Sequence, residues 1–262
     1  MRRNLQFAVA FRHAVSSIAN NIEPAIRICW PWYAIVIPLS LLIYALLASA
    51  TGGNPDSRPV LSFFATLLVA AVALLSASSI AVNWHNYILR DELPRGSGVL
   101  RLDDRVWRYF GNMLMIMLSV LAVLLIFAIP LSFIALLANS PALAVASTFI
   151  VGVPIAGTMF LRLAVKLPSI AVGRNDFSLR DAWRATGGNN LPIFLLFVLN
   201  LVVGVGAIAA LVVIQALLSL LGATLGIILG VIVEVAFNWI LTIFGITILT
   251  SLYGFFVEDR DF

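Results

Sequence analysis

Long apolar runs separated by short charged segments dominate the pattern of this chain. Four runs are each long enough to cross a bilayer as a helix, at residues 32–50, 61–82, 113–138 and 142–161. A spanning helix needs about 20 apolar residues, because it rises about 1.5 Å per residue through a hydrocarbon core about 30 Å thick. A further, almost uncharged stretch covers residues 191–257 and has room for two spans. The pattern therefore predicts six membrane-spanning helices.

The last apolar stretch can be divided in more than one way. We place the fifth span at residues 191–218 and the sixth at residues 235–256. Residues 219–234 then either lie in the outer interface or extend the sixth span. A seventh span in this stretch is another alternative, which would put the C-terminus on the opposite side of the membrane.

Composition supports a membrane protein. The chain of 262 residues is 62% apolar and only 11% charged, and its mean hydropathy is +1.07. Ordinary soluble domains are about half apolar and about a quarter charged. The composition excludes a soluble enzyme, a nucleic-acid-binding module and a disordered scaffold, since each needs more polar surface. We expect one all-α polytopic membrane domain over residues 1–262.

The basic residues predict the orientation. With the N-terminus inside, all of the 16 Lys and Arg residues except Arg58 fall in inner segments, including Arg2 and Arg3. Inner loops of membrane proteins carry an excess of such residues. We therefore expect a multi-pass protein of the bacterial inner membrane with both termini in the cytoplasm. The single cysteine, Cys29, excludes a disulfide within the chain and a cysteine-based zinc or iron–sulfur site.

Amphipathic helices are expected along the inner face. Within residues 1–28, a helical face formed by Phe7, Phe11, Val15 and Ile18 predicts an interfacial helix. Two later segments, DRVWRYFGN at 104–112 and RDAWRATGGN at 180–189, each place a Trp-Arg pair three residues before a glycine. The segments that end the second and fourth spans, YILRDELP and LRLAVKLP, are also alike, since each has charged residues followed by Leu-Pro. We predict three units, each an amphipathic leading helix followed by a helical hairpin.

Two inner segments carry a resemblance to known proteins. The runs AVNWHNYILRDELPRG and RLAVKLPSIAVGRNDFSLRDAWRATGGNN resemble the inner-loop signature of a broad group of bacterial, largely alphaproteobacterial, six-span membrane proteins. These proteins are similar in turn to the membrane domain of some glycerophosphodiester phosphodiesterases. The motifs are specific over residues 81–110 and 161–190. Because that domain is the non-catalytic part of those enzymes, the resemblance implies six spans and a membrane location, and no activity.

Aromatic and basic residues beside the inner ends of the spans are candidates for contact with anionic lipid headgroups. These candidates are Trp84, His85, Arg90, Trp107, Arg108, Trp183 and Arg184. His85 could also serve a proton relay, but we favour a polar interfacial side chain. We expect the carboxylates Asp103, Asp104 and Asp181 to cap helices rather than to act as acid–base catalysts.

The amide and carboxyl side chains inside the last apolar stretch belong to Asn200, Gln215, Glu234 and Asn238. Their side chains can form hydrogen bonds between helices. If the sixth span begins near Thr224, Glu234 lies about 15 Å deep, where an ionisable group usually faces a cavity or a partner. If the span begins at Val235, Glu234 marks the outer interface. Pro130 and Pro154 are expected to be ordinary helix kinks.

Three classes of function follow from these features. We favour a non-catalytic membrane scaffold or accessory subunit that packs against a larger membrane complex and contacts anionic lipid. Small residues such as Gly204, Gly206 and Gly226 favour close helix packing. The alternative is a transporter of a small solute or lipid, or a lipid-handling protein. An intramembrane enzyme comes last, because no nucleophile, base and orienting group occur together. We expect no cofactor, no metal and no nucleic-acid partner.

Overall fold

A computed structural model describes residues 3–261, apart from the side chains at positions 141, 144 and 223. Arg2, one of the arginines that predict the orientation, lies outside the described residues. The α-helices in this part of the chain are Phe7–Ala19 (α1), Ile22–Thr51 (α2), Pro59–Arg90 (α3), Asp104–Leu137 (α4), Pro141–Ser147 (α5), Val153–Ala164 (α6), Lys166–Ala171 (α7), Leu179–Ala185 (α8), Asn190–Ser219 (α9) and Ala223–Val257 (α10).

The chain is an all-α polytopic membrane protein. Six segments of the described chain are long and apolar enough to cross a membrane, which confirms the predicted fold class. Five of them are single helices: α2, α3, α4, α9 and α10. The fourth span, Val145–Ala171, joins the end of α5 to α6 through a π-helical segment, Thr148–Gly152, and continues into α7. Pro154 follows that segment and lacks the N–H group that a regular α-helix would use there.

The sixth span is longer than predicted. Helix α10 begins at Ala223, so residues 224–234 belong to the span and do not form a separate interfacial segment. The preceding turn reverses direction at Gly222, where φ is 93°. A Cβ added to Gly226 would lie 2.6 Å from the backbone oxygen of Leu218. Glycine is needed there because α9 and α10 approach closely after the turn.

The leading helices are not equivalent in the three units. Helix α1 is separate, and helix α8 is a separate short helix before α9. The segment 104–112, in contrast, forms the first turns of α4 itself, which corrects the prediction of a leading helix in the second unit. In α1, Phe11 packs edge-on against Phe244 of α10 at 5.4 Å between ring centroids. Val15 is exposed and lies outside the face that packs on α10.

The buried core lies at one end of the helix bundle. We call this the charged end, and it contains α1, α7, α8 and both ends of the described chain. Buried residues concentrate in 76–89 of α3, 161–171 around α7, and 246–255 of α10. The opposite halves of the helices expose apolar side chains, as expected for surfaces that face lipid. Arg3 donates to the backbone oxygen of Phe255 at 3.1 Å, which joins the two chain ends.

The spanning helices are longer than a bilayer requires. Helix α10 has 35 residues, which corresponds to a length of about 52 Å. The hydrocarbon core measures about 30 Å. These helices are therefore longer than the hydrocarbon core is thick, and the polar residues packed at the charged end are the part least suited to contact with acyl chains.

Candidate functional site

Several polar side chains inside the charged end are joined by hydrogen bonds between helices. Thr250 Oγ1 donates to the carbonyl of Ile246 at 3.0 Å, so it can accept from His85 Nδ1, 2.8 Å away. The other ring nitrogen of His85, Nε2, then accepts from the Tyr109 hydroxyl at 3.2 Å. This arrangement uses a neutral imidazole and leaves neither ring nitrogen unpaired. His85 therefore ties α3 to α4 and α10.

The structure corrects two of the predicted headgroup contacts. Trp84 and His85 both have 0% exposed surface. A side chain without exposed surface cannot reach a lipid headgroup. The sequence placed both residues at the membrane interface because they follow an apolar run, but that run continues into the packed charged end. Both residues belong to the protein core.

Arg162 is a buried arginine whose role the sequence did not reveal. Its guanidinium donates to Thr186 Oγ1 at 3.0 Å, to Asn190 Oδ1 at 2.8 Å and to the backbone oxygen of Trp183 at 2.7 Å. The guanidinium carbon also lies 3.5 Å from the centroid of the Trp183 ring. These contacts join α6, α8 and the start of α9. In the sequence, Arg162 lies in LRLAVKLP, and the similarity of this segment to YILRDELP indicated only the end of a span.

The remaining headgroup candidates lie at the surface of the charged end. Trp107 is 53% exposed and Trp183 is 43% exposed. Arg108 and Arg184 are exposed as well. Arg90 pairs with Glu258 at 2.8 Å, so part of its charge is neutralised within the protein. Their positions allow contact with headgroups, and that contact stays a prediction.

Two of the three carboxylates expected to cap helices do so, whereas Asp104 lies in the first turn of α4 and faces Arg108 at 4.0 Å. Asp103 accepts from the backbone N–H of Val106 at 3.3 Å and caps α4. At α8 the cap is Ser178, and Asp181 completes a capping box by accepting from the backbone N–H of Ser178 at 2.9 Å. Hydrogen bonds from the side chain and backbone of Ser178 lower the pKa of Asp181. These contacts account for both carboxylates by helix capping.

A groove opens between α2, α3 and α10 on the side of the bundle, and we call it the lateral groove. Its volume is about 460 Å³. Most of its wall is apolar, and the polar and aromatic residues that line it are Trp32, Tyr33, Ser40, Tyr44, Ser76, Glu234, Asn238 and Thr242. A second, apolar groove also lies between α2 and α10, and it shares Tyr33, Ile37, Val231 and Val235 with the first.

One hydrogen bond joins α2 and α10 between these grooves. The Tyr33 hydroxyl donates to Asn238 Oδ1 at 2.8 Å. Glu234 lies one helical turn from Asn238, is exposed, and forms no ion pair or hydrogen bond with any residue from 3 to 261. It lies 11 residues from the start of α10, which is about 16 Å into the span. The structure thus places this carboxyl group on the wall of the groove, well inside the span rather than at its end.

The other two intramembrane candidates lie elsewhere. Gln215 Nε2 donates to the backbone oxygen of Gly230 at 2.9 Å, which joins α9 and α10 near their outer ends. Asn200 donates to Leu196 within its own helix at 2.8 Å. Its Oδ1 is buried without a partner among the described residues, and it lines a central cavity of about 410 Å³. The four candidates therefore do not form one continuous polar path.

Comparisons with known proteins add no relatives. No family model, no curated protein and no solved structure matches this chain. The resemblance noted over residues 81–110 and 161–190 therefore stays an expectation. Among the described residues, no group of three or more His, Cys, Asp or Glu could hold a metal ion. The lateral groove and the charged end remain as the two candidate sites.

Proposed function

We propose that this protein binds and handles an apolar or amphiphilic molecule that enters from the bilayer. The observation that carries the proposal is the lateral groove, which combines an apolar wall with a few polar groups. Ligand sites are concave, mostly apolar, and contain a few placed polar groups. The groove's volume of about 460 Å³ lies within the range of about 300–1,000 Å³ for such sites.

The proposal includes an orientation and a role. The charged end faces the cytoplasm of a bacterial cell, which the positions of Lys and Arg support. The protein acts by binding rather than by catalysis. Trp107, Arg108, Trp183 and Arg184 contact anionic headgroups at this face, since an aromatic ring beside a guanidinium suits the headgroup region.

The experiment measures lipid that stays bound after purification. The wild-type protein and two variants are washed with mild detergent, and native mass spectrometry counts the retained amphiphiles. Ala73→Trp fills the groove, because Ala73 lines it. Ala71→Trp, an exposed site on the same helix outside the groove wall, is the matched control. We expect retained ligand in the wild type and in Ala71→Trp, and its loss in Ala73→Trp. Equal retention in all three proteins would contradict the proposal.

A scaffold or accessory subunit is the second candidate. Helix α9 has two glycines, Gly204 and Gly206, at which an added Cβ would meet no atom of the described chain within 4 Å. Small residues on a lipid-facing surface allow another helix to approach closely. Loss of a co-purifying membrane protein in Gly206→Leu would favour this function. An unchanged set of co-purifying proteins would weigh against it.

A further inference from the structure

The lateral groove contains one charged side chain. Of all the residues that line it, only Glu234 carries a charge, and the wall has no Lys, Arg or His. A carboxylate at mid-depth in a membrane is costly unless a counter-charge compensates it. No residue from 3 to 261 supplies that counter-charge. The groove therefore offers one acidic group and no basic partner for it among the described residues.

Aromatic rings surround the same space. Trp32, Tyr33 and Tyr44 all line the groove. The faces of aromatic rings attract cations, and the attraction increases when water is excluded. An anion would meet the Glu234 charge and no donor with a positive charge. Charge and ring placement both favour a cation in this groove.

The lining of the groove is better suited to an organic cation than to a metal ion. Ca²⁺ takes six to eight oxygen ligands, and Mg²⁺ demands an octahedral shell. The groove offers one carboxyl group among apolar walls. A cation whose charge is covered by hydrocarbon groups loses little hydration on entering such a site. Its apolar groups can then pack against residues such as Val69 and Ala73.

We propose that the lateral groove selects hydrophobic organic cations and that Glu234 is their counter-ion. This inference rests on the proposed function and names its ligand class. The cation enters sideways from the bilayer, places its charge beside Glu234, and packs its hydrocarbon groups against Tyr33 and Tyr44. The hydrogen bond between Tyr33 and Asn238 holds α2 and α10 at the distance that keeps the groove open.

The test compares two probes of the same shape and opposite charge. Tetraphenylphosphonium and tetraphenylborate each carry four phenyl groups on a central atom, as a cation and an anion. Binding of each is measured separately on the full chain in phosphatidylcholine nanodiscs, with empty nanodiscs subtracted. We expect saturable binding of the cation alone. Glu234→Gln should weaken it about tenfold or more, as expected for loss of a charged contact.

Two further variants separate folding from binding. Glu23→Gln is the matched control, because Glu23 is exposed on α2 outside the groove, and it should bind the cation as the wild type does. Glu234→Asp keeps the charge and should retain more affinity than Glu234→Gln.

Three results would overturn the inference. Equal binding of both probes, unaffected by Glu234→Gln but lost in Ala73→Trp, would retain the groove as a ligand site and reject cation selectivity. Absence of probe binding together with equal lipid retention in the Ala73 and Ala71 variants would reject the proposed function as well. A groove occupied by a helix of a co-purifying protein would replace both proposals with the scaffold function.

Discussion

At the scale of single residues, the clearest roles belong to polar side chains buried in the charged end. Arg162 donates from Nε, Nη1 and Nη2 to three different acceptors. A planar guanidinium can hold several fixed acceptors at once, whereas a lysine ammonium is a single point charge. The network therefore depends on arginine and not merely on positive charge.

Arg162→Lys should destabilise the protein by about 2 kcal/mol, since hydrogen bonds to charged groups contribute about 1.5–3 kcal/mol each and lysine can restore only part of the set. Arg184→Lys is the control, because Arg184 is exposed. Thermal unfolding in detergent measures both variants. An unchanged melting temperature for Arg162→Lys would show that the network adds little to stability.

We expect His13 to make the docking of α1 dependent on pH. Its Nδ1 lies 3.0 Å from Ser251 Oγ of α10, and burial lowers its pKa below the ordinary value of 6.5. The docked helix therefore favours neutral His13, while undocking allows protonation at a higher pH. As pH falls below about 6.5, docking should weaken.

Hydrogen exchange of the α1 amides, corrected for the intrinsic effect of pH, measures this change. The wild type should show faster corrected exchange at pH 5 than at pH 7.5. His13→Gln, which cannot gain a proton, should lose that dependence. If His13→Gln keeps the dependence of the wild type, another group controls the docking.

The sequence predicted some of these residue roles and missed others. Capping by Asp103 involves a backbone N–H only three residues away, so it could be predicted from the sequence. Trp84 and His85 were misplaced because an apolar run does not show where the bilayer ends and the protein core begins. The role of Arg162 depends on acceptors more than 20 residues away, which only the packing of α6 against α8 brings together.

At the scale of helices, the α9–α10 hairpin shows how small residues are used. Gly226 and Gly230 of α10 pack against α9, whereas an added Cβ at Gly204 or Gly206 would meet no atom within 4 Å among the described residues. The sequence analysis grouped Gly204, Gly206 and Gly226 as one sign of close helix packing. The structure divides the glycines into two groups. Those close to the turn already contact the neighbouring helix, and those farther along α9 contact no other helix.

Gly226→Ala should destabilise the hairpin by about 1–3 kcal/mol, since the added methyl group would meet the backbone oxygen of Leu218, which cannot rotate away. Gly206→Ala should be neutral or slightly stabilising, because alanine favours the helix more than glycine does. Comparative thermal unfolding checks the pair. Equal melting temperatures would show that the turn can relax around the extra group.

Helix existence was more predictable than helix ends. All six spans follow from apolar length alone. The start of α10 was placed too late, because Glu234 looked like a boundary when it lies inside the span. An ionisable residue marks either an interface or a buried site, and the sequence pattern does not distinguish these two situations.

At the scale of the whole molecule, the protein consists of a packed charged end and a looser set of lipid-facing helix halves. Both ends of the described chain meet at the charged end, where Arg3 lies beside Phe255. The six spans explain this, since an even number returns the chain to its starting side. The proposed orientation places this end in the cytoplasm.

Cysteine labelling in intact cells tests the orientation. In a Cys29→Ala background, Ser57→Cys adds a thiol to the loop between α2 and α3, and Ser97→Cys adds one between α3 and α4. Both native serines are exposed. A maleimide that cannot cross membranes should label position 57 from outside and position 97 only after lysis. The reverse pattern would invert the protein in the membrane.

The central claim is that the lateral groove stays open and occupied in a bilayer. Electron cryomicroscopy in lipid nanodiscs, with an antibody fragment added for mass, tests it most directly. We expect α2 and α10 to keep the groove between them, with the hydrogen bond between Tyr33 and Asn238 in place. Ordered density should lie beside Glu234 and be absent in Ala73→Trp. A structure in which α2 packs along α10 and closes the groove, with no density beside Glu234, would contradict it.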